Sequence, residues 1–274
     1  MNVYWLEQTE PDVPSANEWL SARELAQLNA MRFAKRRADW QLGRWTAKNA
    51  VAACFQLPAD LQHLARIEVR PDPSGAPETF LGNKWAPVTI SLSHRAGRAV
   101  CAVAPYRSAL GCDLEVIEPH SDAFVADYFT TGEQALVARA APAERTWLVT
   151  LLWSAKESAL KALRAGLRLD TRCVIVTPTG ALQSQNDTMS QPRLSSWDEG
   201  DFATARRPDA VNGWRPLRVR HINDQTFLGW WQHTGDLLRT LVATPPLTRP
   251  VLLNIPRSST ISPSGAGSDQ SQAA

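Results

Sequence analysis

The chain predicts a mixed protein of helices and strands, and three observations lead there. Apolar residues recur with helical period over residues 30–55 and 148–163. Alternating strand-like runs stand in hairpin order over 88–104 and 217–232, each pair with a turn between its members. The tetrads Trp45-Thr46-Ala47-Lys48 and Trp153-Ser154-Ala155-Lys156 echo one another, each on the principal helix of its half, which suggests two duplicated halves meeting face to face.

The elements follow in order. Val3 to Leu6 reads as a short strand, followed by a loop rich in Pro and Asp. Ser21 is the expected cap of a first helix, because Glu24 stands three residues on in capping-box spacing. In the long helix over 30–55, Met31, Ala34, Ala38, Leu42, Trp45 and Ala52 share the core face. Pro71 to Pro87 contains Asp72-Pro73-Ser74-Gly75-Ala76-Pro77 and reads as turns. Val88 to His94 alternates with a Thr/Ser face, turns through Arg95-Ala96-Gly97-Arg98 and returns over Ala99 to Ala104. Pro105 to Ser108 marks a boundary, and Leu110 to Ile117 is the next strand.

Asp122 to Phe129 and Thr131 to Arg139 read as helices, the second capped by Thr131. Over 148–163, Leu148, Leu151, Leu152, Ala155, Ala159, Ala162 and Leu163 form one stripe. At about 100° per residue Glu157 lies opposite the centre of that stripe, with Trp153 and Lys161 to either side. Periodicity is therefore equally consistent with Glu157 in a cleft and Glu157 on open surface. Cys173 to Val176 is a short strand, and residues 180–212 are polar and irregular, as in a long surface insertion. A hairpin around Asn223-Asp224 and a strand over Asp236 to Ala243 follow, and residues 257–274 have the composition of a disordered tail.

With 274 residues and an ordinary apolar share, the chain can bury a sizeable core. A net charge of +2 singles out neither nucleic acid nor an anionic membrane as partner. Cys54, Cys101, Cys112 and Cys173 lack the close spacing of a zinc or redox motif, and read as reduced core thiols of a cytoplasmic protein. The opening Met1-Asn2-Val3-Tyr4-Trp5-Leu6-Glu7 has no basic start, against a signal peptide, and no apolar run is long enough for a membrane span. The 11 tryptophans are dispersed, which suits core and cleft lining better than a platform for stacked bases.

Chemistry concentrates in a few places. Asp113 and Glu115, two apart on a strand, leave the same face, and Glu157 and Lys161, four apart on a helix, are neighbours. Hard divalent cations prefer carboxylate oxygens with room left for phosphate and water, so the set suits magnesium-dependent phosphoryl-type transfer. Upstream, Arg37, Arg44 and Lys48 form a basic stripe in a segment holding six basic residues against one acid, Asp39. An anionic ligand and plain solvation both account for that charge. His94, alone, reads as a structural hydrogen-bonding group. Ser93 and His94 beside the Gly97 turn also suit phosphate binding, and no Gly-x-Ser-x-Gly elbow surrounds Ser93 to support a hydrolase.

The ordered set Ser91-Leu92-Ser93-His94, Gly111-Cys112-Asp113-Leu114-Glu115 and Trp153-Ser154-Ala155-Lys156-Glu157-Ser158-Ala159-Leu160-Lys161 resembles the signature of the Sfp-type 4′-phosphopantetheinyl transferases. Arg36-Arg37-Ala38-Asp39-Trp40-Gln41-Leu42-Gly43-Arg44 resembles the N-terminal motif of that family, so the likeness spans about residues 32–172. It implies an α+β pseudo-duplicated fold, with halves over 1–107 and 108–256 and the site between them. It implies transfer of the phosphopantetheine arm of coenzyme A to a serine of an apo acyl or peptidyl carrier protein, releasing adenosine 3′,5′-bisphosphate. By the same likeness Asp113, Glu115 and Glu157 hold Mg²⁺, Lys161 contacts the leaving phosphate, and Ser93, His94 and Arg44 bind phosphates. Arg37, Lys48 and Lys84 are candidate further cations, and Glu157 is the candidate base. A monomer is implied. Two other readings use the same residues: another Mg²⁺ enzyme of the nuclease or phosphohydrolase kind, and a non-catalytic protein that binds coenzyme A or a carrier.

Overall fold

Helix starts are set locally. In the computed structural model, which describes residues 1–178 and 213–255, Ser21 and Glu24 form the expected capping box and open α1 (Ala22–Asn29). Helix α2 (Ala34–Cys54) follows Phe33 without a side-chain cap, and Asp60 caps the short α3 (Leu61–Ala65). Ser121 caps α4 (Asp122–Tyr128). Thr130, not Thr131, caps α5 (Thr131–Arg139), because the amide of Glu133 lies three residues beyond Thr130 and within 3.3 Å of its hydroxyl. Helix α6 (Pro142–Ala162) starts six residues before its apolar stripe, on Pro142, whose missing N–H is harmless in the first turn. The insertion expected over 180–212 and the tail over 257–274 lie outside the described residues.

The strands are β1 (Tyr4–Thr9), β2 (Ile67–Pro71), β3 (Pro77–Leu81), β4 (Lys84–Trp85), β5 (Val88–Arg95), β6 (Arg98–Pro105), β7 (Ala109–Val116), β8 (Val174–Pro178), β9 (Arg215–His221), β10 (Thr226–Thr234), β11 (Leu237–Thr244) and β12 (Val251–Leu252). They form one sheet of order β12-β1-β6-β5, a second of order β7-β11-β10-β9-β8, and a small sheet β2-β3-β4. The small sheet replaces the turns expected over 71–87: β2 and β3 pair from Ile67↔Leu81 to Pro71↔Pro77 around the Asp72-to-Ala76 turn. Strand β12 pairs in parallel with β1, so the last described residues return to the first sheet rather than to the second.

Each main sheet carries one long helix. Trp45, Ala50, Val51 and Ala52 of α2 pack with Leu6, Ile90, Cys101 and Val103 of the first sheet. On the second sheet, Leu148, Leu152, Ala155 and Ala159 of α6 join Leu217, Val219, Phe227 and Val242. The faces turned away from the helices meet in a third core of Trp5, Val100, Ala102, Leu110, Cys112, Leu114 and Leu241. On that same face Arg239 of β11 reaches Glu7 of β1, its NH2 at 2.8 Å, and ties the two sheets. The result is a mixed α+β arrangement with helices outside two facing sheets. No helix among the described residues is long and apolar enough to cross a membrane.

The echoing tetrads occupy matching surroundings. Lys48 is fully buried and pairs with Glu24 at 2.5 Å, donating also to the carbonyls of Trp19 (2.8 Å) and Leu64 (3.1 Å). Lys156 is fully buried and pairs with Glu133 at 2.8 Å, donating to the carbonyls of Thr171 (3.0 Å) and Val174 (2.5 Å). Each glutamate belongs to a capping box and accepts a strand amide, Val69 for Glu24 at 3.1 Å and Val176 for Glu133 at 2.9 Å. Burial pulls both lysines below their ordinary pKa, with the paired carboxylates acting in the opposite direction.

Removing one partner of such a pair leaves an uncompensated buried charge. Lys48→Ala and Lys156→Ala are each expected to lower stability by about 3–5 kcal/mol, measured by urea unfolding. Lys48→Met combined with Glu24→Gln recovers a substantial part of the loss.

Candidate active site

The alternation of β7 divides its residues by chemistry. Leu110, Cys112 and Leu114 enter the core between the sheets, so Gly111, Asp113 and Glu115 share the other face, under α6. Gly111 is needed there: a Cβ on it would lie 1.7 Å from the carbonyl oxygen of Ser158. The small serines of α6 complete the close contact, Ser154 and Ser158 placing their hydroxyls 2.9 and 2.7 Å from Thr240 Oγ1 on β11. Helix α6 is buried on nearly every side from Leu148 onward, and Trp153, Glu157 and Lys161 form a stripe that stays partly open. Glu157 is thereby half-buried between Trp153 and Lys161 rather than on open surface.

Lys161 organises the centre. Its Nζ donates to Asp113 Oδ1 at 2.7 Å, Ser93 Oγ at 3.0 Å and the Cys112 carbonyl at 3.1 Å. Ser93 in turn donates to Asp113 Oδ1 at 2.8 Å. The second oxygen of Asp113 is buried without a hydrogen-bond partner. Glu115 accepts from Trp153 Nε1 at 3.1 Å, and its other oxygen lies 3.4 Å from Arg95 Nε.

Charge is out of balance here. Burial, then the neighbouring Asp113, push Glu115 up to about 7, against the pull of Arg95 and the Trp153 hydrogen bond. Burial and Asp113 also raise Glu157. Burial works against the Lys161 ammonium, yet Asp113, Cys112 and Glu157 prevail and hold it above the ordinary lysine value. Of the three carboxylates only Asp113 pairs directly with Lys161, while Glu115 and Glu157 lie nearby.

Beside this cluster a cleft of about 1180 Å³ runs along α2, β5 and the end of α6, with Lys161 on its wall. Lys35, Arg36, Arg44, His94 and Arg107 line it with Trp40, Trp85 and Tyr106, against the acids Asp39 and Glu78. The Arg44 guanidinium lies 4.9 Å from the Trp40 ring centroid, and its Nε is buried without a partner. Ser93 and His94 leave β5 on opposite faces, one to Asp113 and the other to the cleft. Burial lowers the His94 pKa, with Lys161 and Lys35 adding to that and Asp39 and Asp113 opposing it, so the ring is neutral at about pH 7.

Most expected residues therefore converge: Asp113, Glu115, Glu157, Lys161 and Ser93 in the cluster, Arg44 and His94 in the cleft. Lys48 does not, because its ammonium is sealed against Glu24. Arg37 turns away as well, donating to the carbonyls of Leu28 (2.9 Å) and Met31 (3.4 Å) at the end of α1, and Arg36 lines the cleft in its stead. Lys84 is exposed and off the cleft wall. The expected metal set is near but not closed: among the described residues no three His, Cys, Asp or Glu side chains are gathered closely enough to hold an ion. Trp153 and Arg95 join the cluster through Glu115. A helical offset of four from Glu157 marks the first, and a strand offset of two from Ser93 marks the second.

A helix-and-strand protein with a carboxylate cluster at the end of a cationic cleft fits the handling of a phosphate-bearing ligand. Residues 109–210 match the family model of the 4′-phosphopantetheinyl transferase superfamily. Asp113, Glu115, Glu157 and Lys161 all fall inside it. A stretch of 56 residues is 45% identical to a holo-[acyl-carrier-protein] synthase of Afipia carboxidovorans, covering 20% of this chain and 41% of that protein. The match thus spans less than half the length of that relative.

Gly111→Ala is expected to force α6 away from β7 and destabilise the fold by about 3 kcal/mol, read by urea unfolding. A variant as stable as the parent would contradict the close contact.

Proposed function

We propose that the chain is a 4′-phosphopantetheinyl transferase of the Sfp type, with two duplicated halves over 1–107 and 108–256. The duplication is supported by the two buried Lys–Glu pairs, each with its capping box, strand amide and echoing tetrad. In this reading coenzyme A lies in the cleft, and its phosphopantetheine arm passes to a serine of an apo acyl or peptidyl carrier protein. The observation that carries the proposal is Lys161, which closes on Asp113 and Ser93 at the point where the cationic cleft meets the acidic cluster.

The donor chemistry fits Mg²⁺. Hard oxygens dominate, one buried Asp113 oxygen has no partner, and burial, then the charge of Asp113, raises Glu115 and Glu157 toward protonation. Asp113, Glu115 and Glu157 would hold the ion, which when bound neutralises the diphosphate of coenzyme A. Arg44, Arg36 and neutral His94 bind and orient the phosphates, and Ser93 holds Asp113 and Lys161 in register. The carrier serine oxygen forms a bond to the phosphorus of the pantetheine phosphate while the bond to the adenosine 3′,5′-bisphosphate oxygen breaks. Lys161 neutralises charge on that leaving oxygen. The serine proton goes to Glu157, whose raised pKa makes it a stronger base than a free carboxylate.

The decisive experiment incubates the protein with coenzyme A, Mg²⁺ and apo carrier proteins and weighs the carrier. A gain of one phosphopantetheine is expected, and no gain across acyl and peptidyl carriers would refute the proposal. Glu157→Gln is expected to lower kcat by about 10²–10⁴-fold; unchanged turnover would put the base elsewhere. Because Glu115 sits near 7, its carboxyl is half protonated there, and Mg²⁺ affinity is expected to rise from about pH 6 to about pH 8, measured by calorimetry.

A further inference from the structure

Arg95 stands at the last position of β5, directly before a two-residue turn in which Ala96 and Gly97 both adopt positive φ, 50° and 70°. The Gly97 carbonyl accepts from the amide of Glu10 at 3.0 Å, which anchors the tip of this hairpin to the chain after β1. The backbone at Arg95 is therefore held, and only its side chain is free to redistribute. The guanidinium lies between two carboxylates: Nε is 3.4 Å from Glu115 Oε2, and NH2 pairs with Glu118. Both Arg95 and Glu118 are nearly half exposed, 45% and 47%, whereas Glu115 is 20% exposed.

This places a fixed positive charge against a carboxylate of the acidic cluster. Glu115 has two oxygens; Trp153 holds one and Arg95 sits on the other. Asp113 keeps one buried oxygen unpartnered, and Glu157 makes no hydrogen bond to a described residue. Of the three acids, Glu115 is the one engaged by a cation outside Lys161, and the set is not gathered around a common point. A guanidinium and a divalent cation compete for the same carboxylate lone pairs, and their like charges repel. The exposed Arg95–Glu115 contact is weak enough to be given up, and Glu118, which already accepts from the guanidinium, keeps hold of the arginine when that happens.

We infer that Arg95, already hydrogen-bonded to Glu118, is an internal counter-cation that lies against Glu115 in the metal-free protein and withdraws from it, with Glu118 as its anchor, when a divalent cation binds, so that it sets the metal affinity of the site. It acts through Glu115 and is a positioning residue. The inference rests on the proposed role of Asp113, Glu115 and Glu157 as metal ligands.

The test is Mn²⁺ titration followed by electron paramagnetic resonance at low ionic strength, on the parent, Arg95→Ala and Arg98→Ala. Arg98 lies on the same hairpin and pairs with Glu7 instead, at 3.1 Å, so it controls for loss of a nearby charge. Arg95→Ala is expected to bind Mn²⁺ roughly three- to tenfold more tightly, with Arg98→Ala within about twofold of the parent. The difference shrinks at about 0.5 M NaCl, as screening of an exposed charge requires. Unchanged or weaker binding by Arg95→Ala, or absence of binding in both it and the parent, overturns the inference. Carrier modification by the parent is measured separately. Tightened Mn²⁺ binding without transfer sinks the transferase proposal alone, and transfer with unaltered Mn²⁺ affinity sinks the Arg95 inference alone.

Discussion

The contact between Gly111 and the Ser158 carbonyl is the constraint on which the site depends. With no side chain at 111, α6 settles onto β7 at backbone distance, and the hydroxyls of Ser154 and Ser158 satisfy Thr240 in the same narrow gap. That depth lets Lys161 reach Asp113 at 2.7 Å and lets Trp153 reach Glu115 at 3.1 Å. A helix lifted by one methyl group would keep the same residues and lose these contacts.

Rigid surroundings make the charge imbalance possible. The buried pairs Lys48–Glu24 and Lys156–Glu133 tie each long helix to a capping box, a strand and two loop carbonyls. Such pairs contribute less to net stability than to the uniqueness of the packing, since charge burial offsets most of their attraction. Held in this frame, Asp113, Glu115 and Glu157 cannot move apart to relieve their repulsion. Burial and the charge of Asp113 raise Glu115 and Glu157, and Asp113 foremost holds Lys161 protonated against its own burial. The same frame makes the cleft cationic on one side of Lys161 and the cluster acidic on the other.

Much of this was legible beforehand, for physical reasons that differ by element. Capping chemistry announced α1 through Ser21 and Glu24, and period-2 alternation announced β5 and β7 with Asp113 and Glu115 on one face. The small sheet β2-β3-β4 was hidden, because the Pro and Gly residues of 71–87 that signal turns also bound very short strands. Lys48 and Arg37 were misplaced because a basic stripe on a helix looks the same whether it faces a ligand, a buried acid or a carbonyl. The acid that claims Lys48 lies 24 residues away in sequence, and the carbonyl that claims Arg37 lies nine residues away.

Sequence alone determined the inventory and its local phase: which residues carry charge, which face of β7 they leave and which turn of α6 they share. Those follow from backbone periodicity, which acts over a few residues. Tertiary structure decided which charges meet. It sealed Lys48, left Glu157 half-buried between Trp153 and Lys161, set Arg95 against Glu115 and left one oxygen of Asp113 without a partner. Such pairings depend on how closely two elements pack, and at Gly111 that distance is set by the absence of a side chain.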